Sequence, residues 1–398
     1  MDSNLVCADT YWVGTIDRQS ALFEAIWPIP SGMTFNSYLI TDEKTALIDG
    51  VKEGGVANYL EKIDCLLPKD RVVDYLIVNH MEPDHSGALP ILCNRYPNMK
   101  IIGNKRTVGF LEGFYGLGDR CQEISDGESL SLGEHELSFH ITPMVHWPET
   151  MVSYDRFTKT VFSGDVFGGF GSLGGNLFDD ETDMNAYEPE LLRYYVNIIA
   201  KYSKMVGRAL AKLEPLDIDV IAPTHGVIFR RDPNSVMQLY HQWSEQQVTP
   251  GVVIAYASMY GNTKKLAEAT ARALNAQGLK DVRVFNVSVT HPSYILAEAW
   301  TRGALVLASC SYNSGIFPLM SNFLNLLKEK QYLNRFLGII GTYSWSGGAR
   351  AALEKFVQEG AWKLVEPIIE VKCGPRAESF EQCEQLSKAI IESLKGKS

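Results

Sequence analysis

The segment Asn79-His80-Met81-Glu82-Pro83-Asp84-His85-Ser86-Gly87 sets four potential metal ligands, His80, Glu82, Asp84 and His85, within six residues. It directly follows Asp74-Tyr75-Leu76-Ile77-Val78, an apolar run of β type. Imidazoles and carboxylates at this density are costly to bury unless a cation pairs them. A solvated acidic turn would account for the carboxylates but not for two histidines at fixed offsets. Further ligand types follow apolar runs downstream: His146 in Pro143-Met144-Val145-His146-Trp147-Pro148, Asp165 after Gly164, and His225 in Pro223-Thr224-His225-Gly226. The intervals from His85 onward are about 61, 19 and 60 residues. Four of the eight histidines thus sit at strand ends, which points to one convergent metal site. His135, His140, His241 and His291 have no such setting and read as surface or satisfied histidines.

A second chemistry is written in Ser258-Met259-Tyr260-Gly261-Asn262-Thr263, between a strand over 252–257 and a helix that starts at once. A hydroxyl- and glycine-rich turn at a helix N-terminus offers N–H groups and hydroxyls to an anion. No lysine follows the glycine and the loop is too short for a Walker A motif, so a phosphomonoester fits better than a nucleoside triphosphate. Two more polar, aromatic-bearing loops follow later strands. They are Ser309-Cys310-Ser311-Tyr312-Asn313-Ser314-Gly315 and Gly341-Thr342-Tyr343-Ser344-Trp345-Ser346-Gly347-Gly348, suited to clasping a flat ring at the carboxyl edge of a sheet. Gly169-Phe170-Gly171-Ser172-Leu173-Gly174 matches a dinucleotide fingerprint in letters only. No helix opens after it, so it reads as a loop rimming the metal site.

These residues need two scaffolds. Up to residue 248 short strands are expected over 10–16, 36–40, 45–49, 72–78, 100–103, 137–142, 151–154, 160–163 and 218–222. Helices are expected over 55–66, up to 95, over 106–114, as one long element with an apolar stripe from Leu191 to about 213, and over 236–243. From residue 249 strands over 252–257, 282–287, 304–309, 336–341 and 365–371 alternate with helices near 263–276, 292–300, 318–329, 349–359 and 380–394. Five βα units in that length spell a doubly wound parallel sheet. The chain therefore divides at 1–248 and 249–398, which suits its 398 residues.

Composition excludes several classes. A net charge of −10 argues against nonspecific nucleic-acid binding. No apolar run approaches the roughly 20 residues that span a bilayer, and the first residues start no signal peptide. Seven scattered cysteines without a Cys-x-x-Cys pair speak against a disulfide framework, structural zinc or an iron–sulfur cluster. A reducing cytoplasm is the expected location.

The three loops of the second half together resemble flavodoxin, which implies FMN with its phosphate in the first loop. The first half resembles the metallo-β-lactamase fold, whose usual His-x-His-x-Asp-His motif here carries Glu82 at its second histidine. That change shifts the ligand set toward carboxylates, which suit iron that cycles between oxidation states. The joined arrangement resembles the flavodiiron proteins (A-type flavoproteins) in their minimal two-domain form over essentially the whole chain. The resemblance implies an α/β chain with an N-terminal metallo-β-lactamase-like αβ/βα sandwich and a C-terminal flavodoxin-like sheet. It implies two non-heme irons, one held by His80, Glu82 and His146, the other by Asp84, His85 and His225, with Asp165 between them. FMN contacts are expected from Ser258, Met259, Tyr260, Gly261, Asn262, Thr263, Ser309, Cys310, Ser311, Tyr312, Asn313, Gly315, Thr342, Tyr343, Ser344, Trp345, Ser346 and Gly347. The implied activity is reduction of O2 to water, of NO to N2O, or both. The implied partners are an external donor, rubredoxin or a reduced deazaflavin, and a second copy in a head-to-tail dimer whose junction Trp147 would line. Two other readings stay open on the residues: a zinc hydrolase with a flavodoxin appendage, and an FMN electron carrier with a structural first domain.

Overall fold

The computed structural model describes residues 5–172 and 174–396. It separates into two compact units, 1–244 and 245–398.

In the first unit a seven-stranded sheet and a five-stranded sheet share one core. The alternation of strand side chains decides what enters it. Tyr38 and Ile40, Ala46 and Ile48, and Ile77 point from the first sheet. Leu137 and Phe139, Met151, Phe162, and Val220 and Ala222 meet them from the second. Tyr38 and Phe162 touch across the interface, ring centroids 5.2 Å apart. The intervening Leu39, Leu47 and Leu76 are buried as well, on the opposite face. This double burial explains why these strands read as continuous apolar runs.

Strands Thr45–Ile48, Tyr75–Ile77, Lys100–Gly103 and Cys121–Glu123 run parallel, so their carboxyl ends share one edge. In the second sheet Thr160–Gly164 and Val220–Pro223 are also parallel neighbours. The loops that follow Tyr75–Ile77, Glu136–Ile141, Thr160–Gly164 and Val220–Pro223 carry the metal-ligand candidates. Local signals set the helix that flanks them. Asn104 caps Lys105–Tyr115 by accepting from the Arg106 and Thr107 N–H groups, and Gly116 closes it at φ +64°.

Three expectations need correction. The strand over 10–16 is two strands, Thr10–Trp12 and Thr15–Asp17, paired with different partners. Between them the chain crosses backbone at Gly14, where a Cβ would stand 2.3 Å from the Phe35 carbonyl oxygen. The long helix is interrupted: Met184–Tyr194 passes through a π-turn, Tyr195–Ile199, and a 3-10 turn before Ser203–Leu213. Residues 194–200 are all buried, a demand that a straight amphipathic helix with one apolar stripe cannot meet. The wider turn lets neighbouring rings face different ways, and the Asn197 amide donates to the Arg193 carbonyl at 2.7 Å.

The second unit is a parallel sheet in which Thr249–Ala257 lies between Val282–Asn286 and Arg302–Tyr312, followed by Arg335–Tyr343. This doubly wound order reverses direction at Thr249–Ala257, and ligands settle outside the carboxyl ends at such a point. The third correction falls on the last strand, expected over 365–371. It is two pieces, Trp362–Leu364 and Ile369–Lys372, both paired with Arg335–Tyr343. Pro367 lies between them and has no N–H to give the ladder. All seven cysteines are free thiols. Among the described residues no helix is long and apolar enough to cross a membrane.

Candidate metal centre

The seven ligand candidates converge in two adjoining groups. His80, Glu82, His146 and Asp165 form one, and Asp84, His85 and His225 the other, each with one ligand atom per residue within 4.8 Å of the rest. In the first, Glu82 Oε2 lies 3.2 Å from His80 Nε2 and 3.1 Å from His146 Nε2. Asp165 Oδ2 lies 3.0 Å from His146 Nε2. In the second, His225 Nε2 is 3.2 Å from Asp84 Oδ2, and His85 Nε2 is 3.3 Å from Asp84 Oδ1. Asp165 reaches this group with its other oxygen, Oδ1, 3.1 Å from His85 Nε2. One carboxylate therefore faces both clusters.

These spacings test whether metal ions fit. Ligand atoms at about 2.0–2.2 Å from a common ion stand roughly 3–3.5 Å from each other. Among the described residues the buried Nε2 atoms of His85 and His225 and both oxygens of Asp84 have no hydrogen-bond partner of proper geometry. Orphaned buried atoms that crowd at ligand spacing fit an ion better than they fit each other. Burial works to raise the Glu82 and Asp165 carboxyls, yet the surrounding imidazoles hold both well below the ordinary carboxylate range. Burial likewise works to neutralise His85 and His146, and the facing carboxylates lift both to about 9. In a metal-free site protons occupy the places a cation would take.

Side chains outside the sequence motifs orient the ligands. Glu149 is buried and accepts from His80 Nδ1 at 2.8 Å and from the Met81 N–H at 2.9 Å. Glu149 is held in turn by Asn104, the helix cap, whose amide donates to the Glu149 carbonyl at 2.5 Å. His225 Nδ1 donates to the Thr34 carbonyl at 2.7 Å, and the Thr224 hydroxyl donates to Asp165 Oδ1 at 2.6 Å. Asp49 accepts from the Asn79 backbone and amide, at 2.8 and 3.1 Å, and so pins the start of the ligand loop. Trp147 stands edge-on to His80, ring centroids 5.1 Å apart. Such supports are worth 10- to 100-fold in metal affinity. Glu149→Ala is therefore expected to weaken iron binding about 10- to 100-fold, read by competition with a chelator. Glu149→Gln, whose amide oxygen still accepts both bonds, is expected to lose less; equal losses would refute the orienting role.

The other four histidines stay outside both groups. Buried His135 pairs with Asp155 at 2.8 Å, His140 meets the Ser138 hydroxyl, and His291 caps helix Pro292–Trp300. His241 lies half-buried on helix Pro233–Ser244. Among the described residues the glycine-rich stretch after Asp165 opens no helix before Met184. Its Gly169 N–H donates to the His225 carbonyl, so it runs beside the centre; its Leu173 lies outside the described residues.

In the second unit a cavity of about 320 Å³ opens among the three strand-end loops. Ser258, Met259, Tyr260, Asn262 and Thr263 line it from the first. Cys310, Ser311, Tyr312 and Asn313 line it from the second, and Thr342, Tyr343, Ser344, Trp345 and Ser346 from the third. Gly261, Ser309, Gly315 and Gly347 do not line it. Gly261 turns the chain at φ +86° into helix Asn262–Ala276, and Ser309 is buried in its strand. Ser314, inside the second loop but outside the expected contacts, and Cys373 complete the wall; sequence reasoning missed Cys373, which arrives from beyond the last strand, where no motif marks it. No side chain caps helix Asn262–Ala276, so its first N–H groups are left for an anion, as a flavin phosphate requires. The Thr263 hydroxyl sits 2.8 Å from that of Thr342, linking the first and third loops. Thr263→Val is expected to weaken FMN binding roughly 10- to 100-fold, the worth of a hydrogen bond to a charged group. Quenching of flavin fluorescence measures it, and an unchanged affinity would place the phosphate elsewhere.

Comparison with known proteins agrees with both halves. Residues 33–226 match the family described as ODP family beta lactamase, and residues 254–386 match flavodoxin. The chain is 33% identical over 386 residues to a nitric oxide reductase of Moorella thermoacetica, covering 96% of each. It superposes on the rubredoxin oxygen:oxidoreductase of Desulfovibrio gigas with TM-score 0.95 and 31% identity, covering 100% of this chain and 99% of that one. It also matches a flavo di-iron protein variant from Thermotoga maritima with TM-score 0.88 and 28% identity, covering 98% of this chain and 96% of that one. With its metal-ligand clusters on one unit and its flavin cradle on the other, the chain belongs to the flavodiiron family.

Proposed function

We propose that this chain is an oxidoreductase that reduces O2 to water, NO to N2O, or both, at a non-heme diiron centre supplied with electrons by FMN. The observation that carries the reading is Asp165, whose two oxygens face two separate imidazole–carboxylate clusters. His80, Glu82 and His146 would hold one iron, Asp84, His85 and His225 the other, and Asp165 both. When bound, two irons and one flavin supply the four electrons that O2 requires, or the two that a pair of NO molecules requires. The protein's part is placement. Glu149 and Thr34 fix the His80 and His225 rings with one nitrogen turned inward. Phe23 and Phe35 pack edge-on against His225, at 5.3 Å each, and hold its ring from that side.

Residues 1–248 would form the diiron domain and 249–398 the FMN domain. Relatives named for nitric oxide reduction and for rubredoxin and oxygen support both gases and a rubredoxin donor; a reduced deazaflavin is the other donor class to assay. A head-to-tail homodimer would let one chain's flavin serve the other chain's irons.

The test is anaerobic turnover of the reduced, iron- and FMN-loaded protein with O2 and NO in parallel, metal and flavin being quantified on the same sample. Iron in the site and consumption of either gas are expected. Zinc in its place, or neither gas consumed, would overturn the reading.

A further inference from the structure

The edge of the first unit away from the ligand loops holds a charged cluster of its own. His135 is 1% exposed and closes the turn between strands Ser129–Ser131 and Glu136–Ile141 of the second sheet. Its Nδ1 lies 2.8 Å from Oδ2 of Asp155, the last residue of Met151–Asp155. Its backbone N–H donates at 2.8 Å to Oδ2 of Asp42, in the first-sheet turn between Tyr38–Thr41 and Thr45–Ile48. Asp9, in the turn after Leu5–Cys7, adds a third carboxylate that acts on the ring. Asp42 and Asp155 stand ahead of the parallel strands Thr45–Ile48 and Thr160–Gly164, whereas the metal ligands follow such strands.

The two sheets are stitched together here. The Lys44 N–H donates to the Leu132 carbonyl at 2.7 Å. Gly133 seats so closely on Asp42 that a Cβ would stand 2.3 Å from Oδ1. Asp155 is fixed by the Thr158 hydroxyl, which donates to Oδ2 at 2.5 Å, and by the Phe157 N–H, which donates to Oδ1 at 3.2 Å. Cations on the neighbouring turns are engaged elsewhere: Arg156 with Glu136 at 2.9 Å, Lys44 with Asp74 at 3.3 Å and Lys159 with Asp217 at 2.5 Å. Arg71 donates to the Asp42 carbonyl, and Glu134, beside His135 in the chain, is exposed. Carboxylates gathered in this way repel unless a cation lies among them. The His135 ring can be that cation, because its buried Nε2 has no hydrogen-bond partner among the described residues and is left for a second proton.

We propose that His135 is a pH-sensitive latch: as an imidazolium it is the shared counter-ion that clamps the turn 132–135 to the first sheet, and losing its proton loosens that turn. None of the seven ligand residues takes part, so the inference stands apart from the diiron reading. Burial works to discharge the ring, but the bond to Asp155 and the charges of Asp155, Asp42 and Asp9 outweigh it and hold its pKa above the ordinary value. A histidine raised in the folded state stabilises fully below its unfolded value, near 6.5. That contribution fades as pH climbs through the folded value. Burial works to raise the Asp155 carboxyl, yet His135 and Thr158 hold it below the ordinary range, so the pair persists into mild acid. The latch is closed in mild acid and opens toward alkaline pH.

The test is hydrogen exchange of the iron- and FMN-loaded protein, read by mass spectrometry from about pH 6 to about pH 9 and corrected for the intrinsic rate. Peptides across 129–141 of wild type are expected to lose about 5-fold or more of their protection as pH rises. Peptides from helix Met184–Tyr194 should keep theirs. His135→Gln should stand at the loosened level throughout, without a step. Asp42→Asn keeps an oxygen to accept the His135 N–H and removes one of the three charges, so it should move the step to lower pH. Wild-type protection that does not change with pH overturns the inference. So does a step that survives in His135→Gln, or one that Asp42→Asn leaves in place. Should His135→Gln fail to fold, the wild type and Asp42→Asn still decide.

Discussion

Asp165→Ala is expected to strip the protein of both metal ions and to lower gas reduction by about 10³-fold or more, while FMN content stays at the wild-type level. The size follows from geometry: Oδ2 of Asp165 stands 3.0 Å from His146 Nε2 and Oδ1 stands 3.1 Å from His85 Nε2. Removing either Glu82 or Asp84 takes an anion from one cluster; removing Asp165 takes one from both. It also leaves four imidazoles, three of them fully buried, facing fewer negative charges, so two cations brought close together would repel with little between them. The flavin cradle belongs to the other unit and acts as an internal control. Asp155→Ala supplies the contrast. Asp155 is as buried and bonds His135 at 2.8 Å, but it touches neither cluster. It should lose stability and keep its iron. Metal analysis with flavin absorbance on the same samples decides the matter, and a D165A protein that holds both irons would refute the shared role of this carboxylate.

The placement of Asp165 was readable in the sequence because a strand end confers it. An apolar run, a glycine and a carboxylate suffice to say where the side chain emerges, and the same holds for His80, His146 and His225. The flavin loops were legible for the same reason, since a doubly wound sheet puts every such loop on one edge. What escaped were residues brought in by packing. Glu149 lies three residues after His146, yet no spacing rule says that it turns to His80 across the loop. Thr34 supplies a backbone carbonyl, which any residue type could supply. Tyr194 is one of three apolar or aromatic residues in a row, Tyr194-Tyr195-Val196, and alternation could not say which ring faces the metals. Packing decides that: the Tyr194 ring lies 5.7 Å from that of His225 at the point where the helix passes into a π-turn, and a π-turn arises from competition between buried faces rather than from a local signal. The broken last strand was foreseeable from Pro367 alone, because a missing N–H interrupts a ladder in any context.

The supports of the centre also bind the two sheets. Asn36 donates from its amide to the Pro223 and Gly226 carbonyls, at 2.9 and 3.1 Å, and accepts from Trp12 Nε1 at 2.9 Å. The Asn36 N–H donates to the Thr224 carbonyl at 2.6 Å. The loop that carries His225 is thus sewn to the first sheet by the chain between Met33–Phe35 and Tyr38–Thr41. Stability and metal geometry share these bonds, so damage here should register in both.

Gly226→Ala is the sharpest test of that coupling. Gly226 sits at φ +77°, a conformation that costs an L residue about 1–2 kcal/mol. A Cβ there would stand 1.9 Å from the Tyr187 hydroxyl and 3.0 Å from the Gly169 backbone nitrogen and oxygen. The tyrosine could swing aside only by giving up the bond it accepts from the Val227 N–H, and the Gly169 backbone has no such freedom. Overpacking of this kind adds about 1–3 kcal/mol. Together these predict roughly 2–5 kcal/mol of destabilisation, or a fall in Tm of about 5–15 °C for a unit of this size. The displacement acts on the residue next to His225, whose Nδ1 bond to Thr34 is paired with the Gly226 N–H donating to the Thr34 hydroxyl at 2.6 Å. Iron held by the Asp84, His85 and His225 cluster should therefore fall off more readily than iron held by the other cluster. Calorimetry of the variant, with stepwise chelation followed spectroscopically, separates the two effects. Loss of stability without preferential loss of one iron would mean that the loop absorbs the strain away from His225.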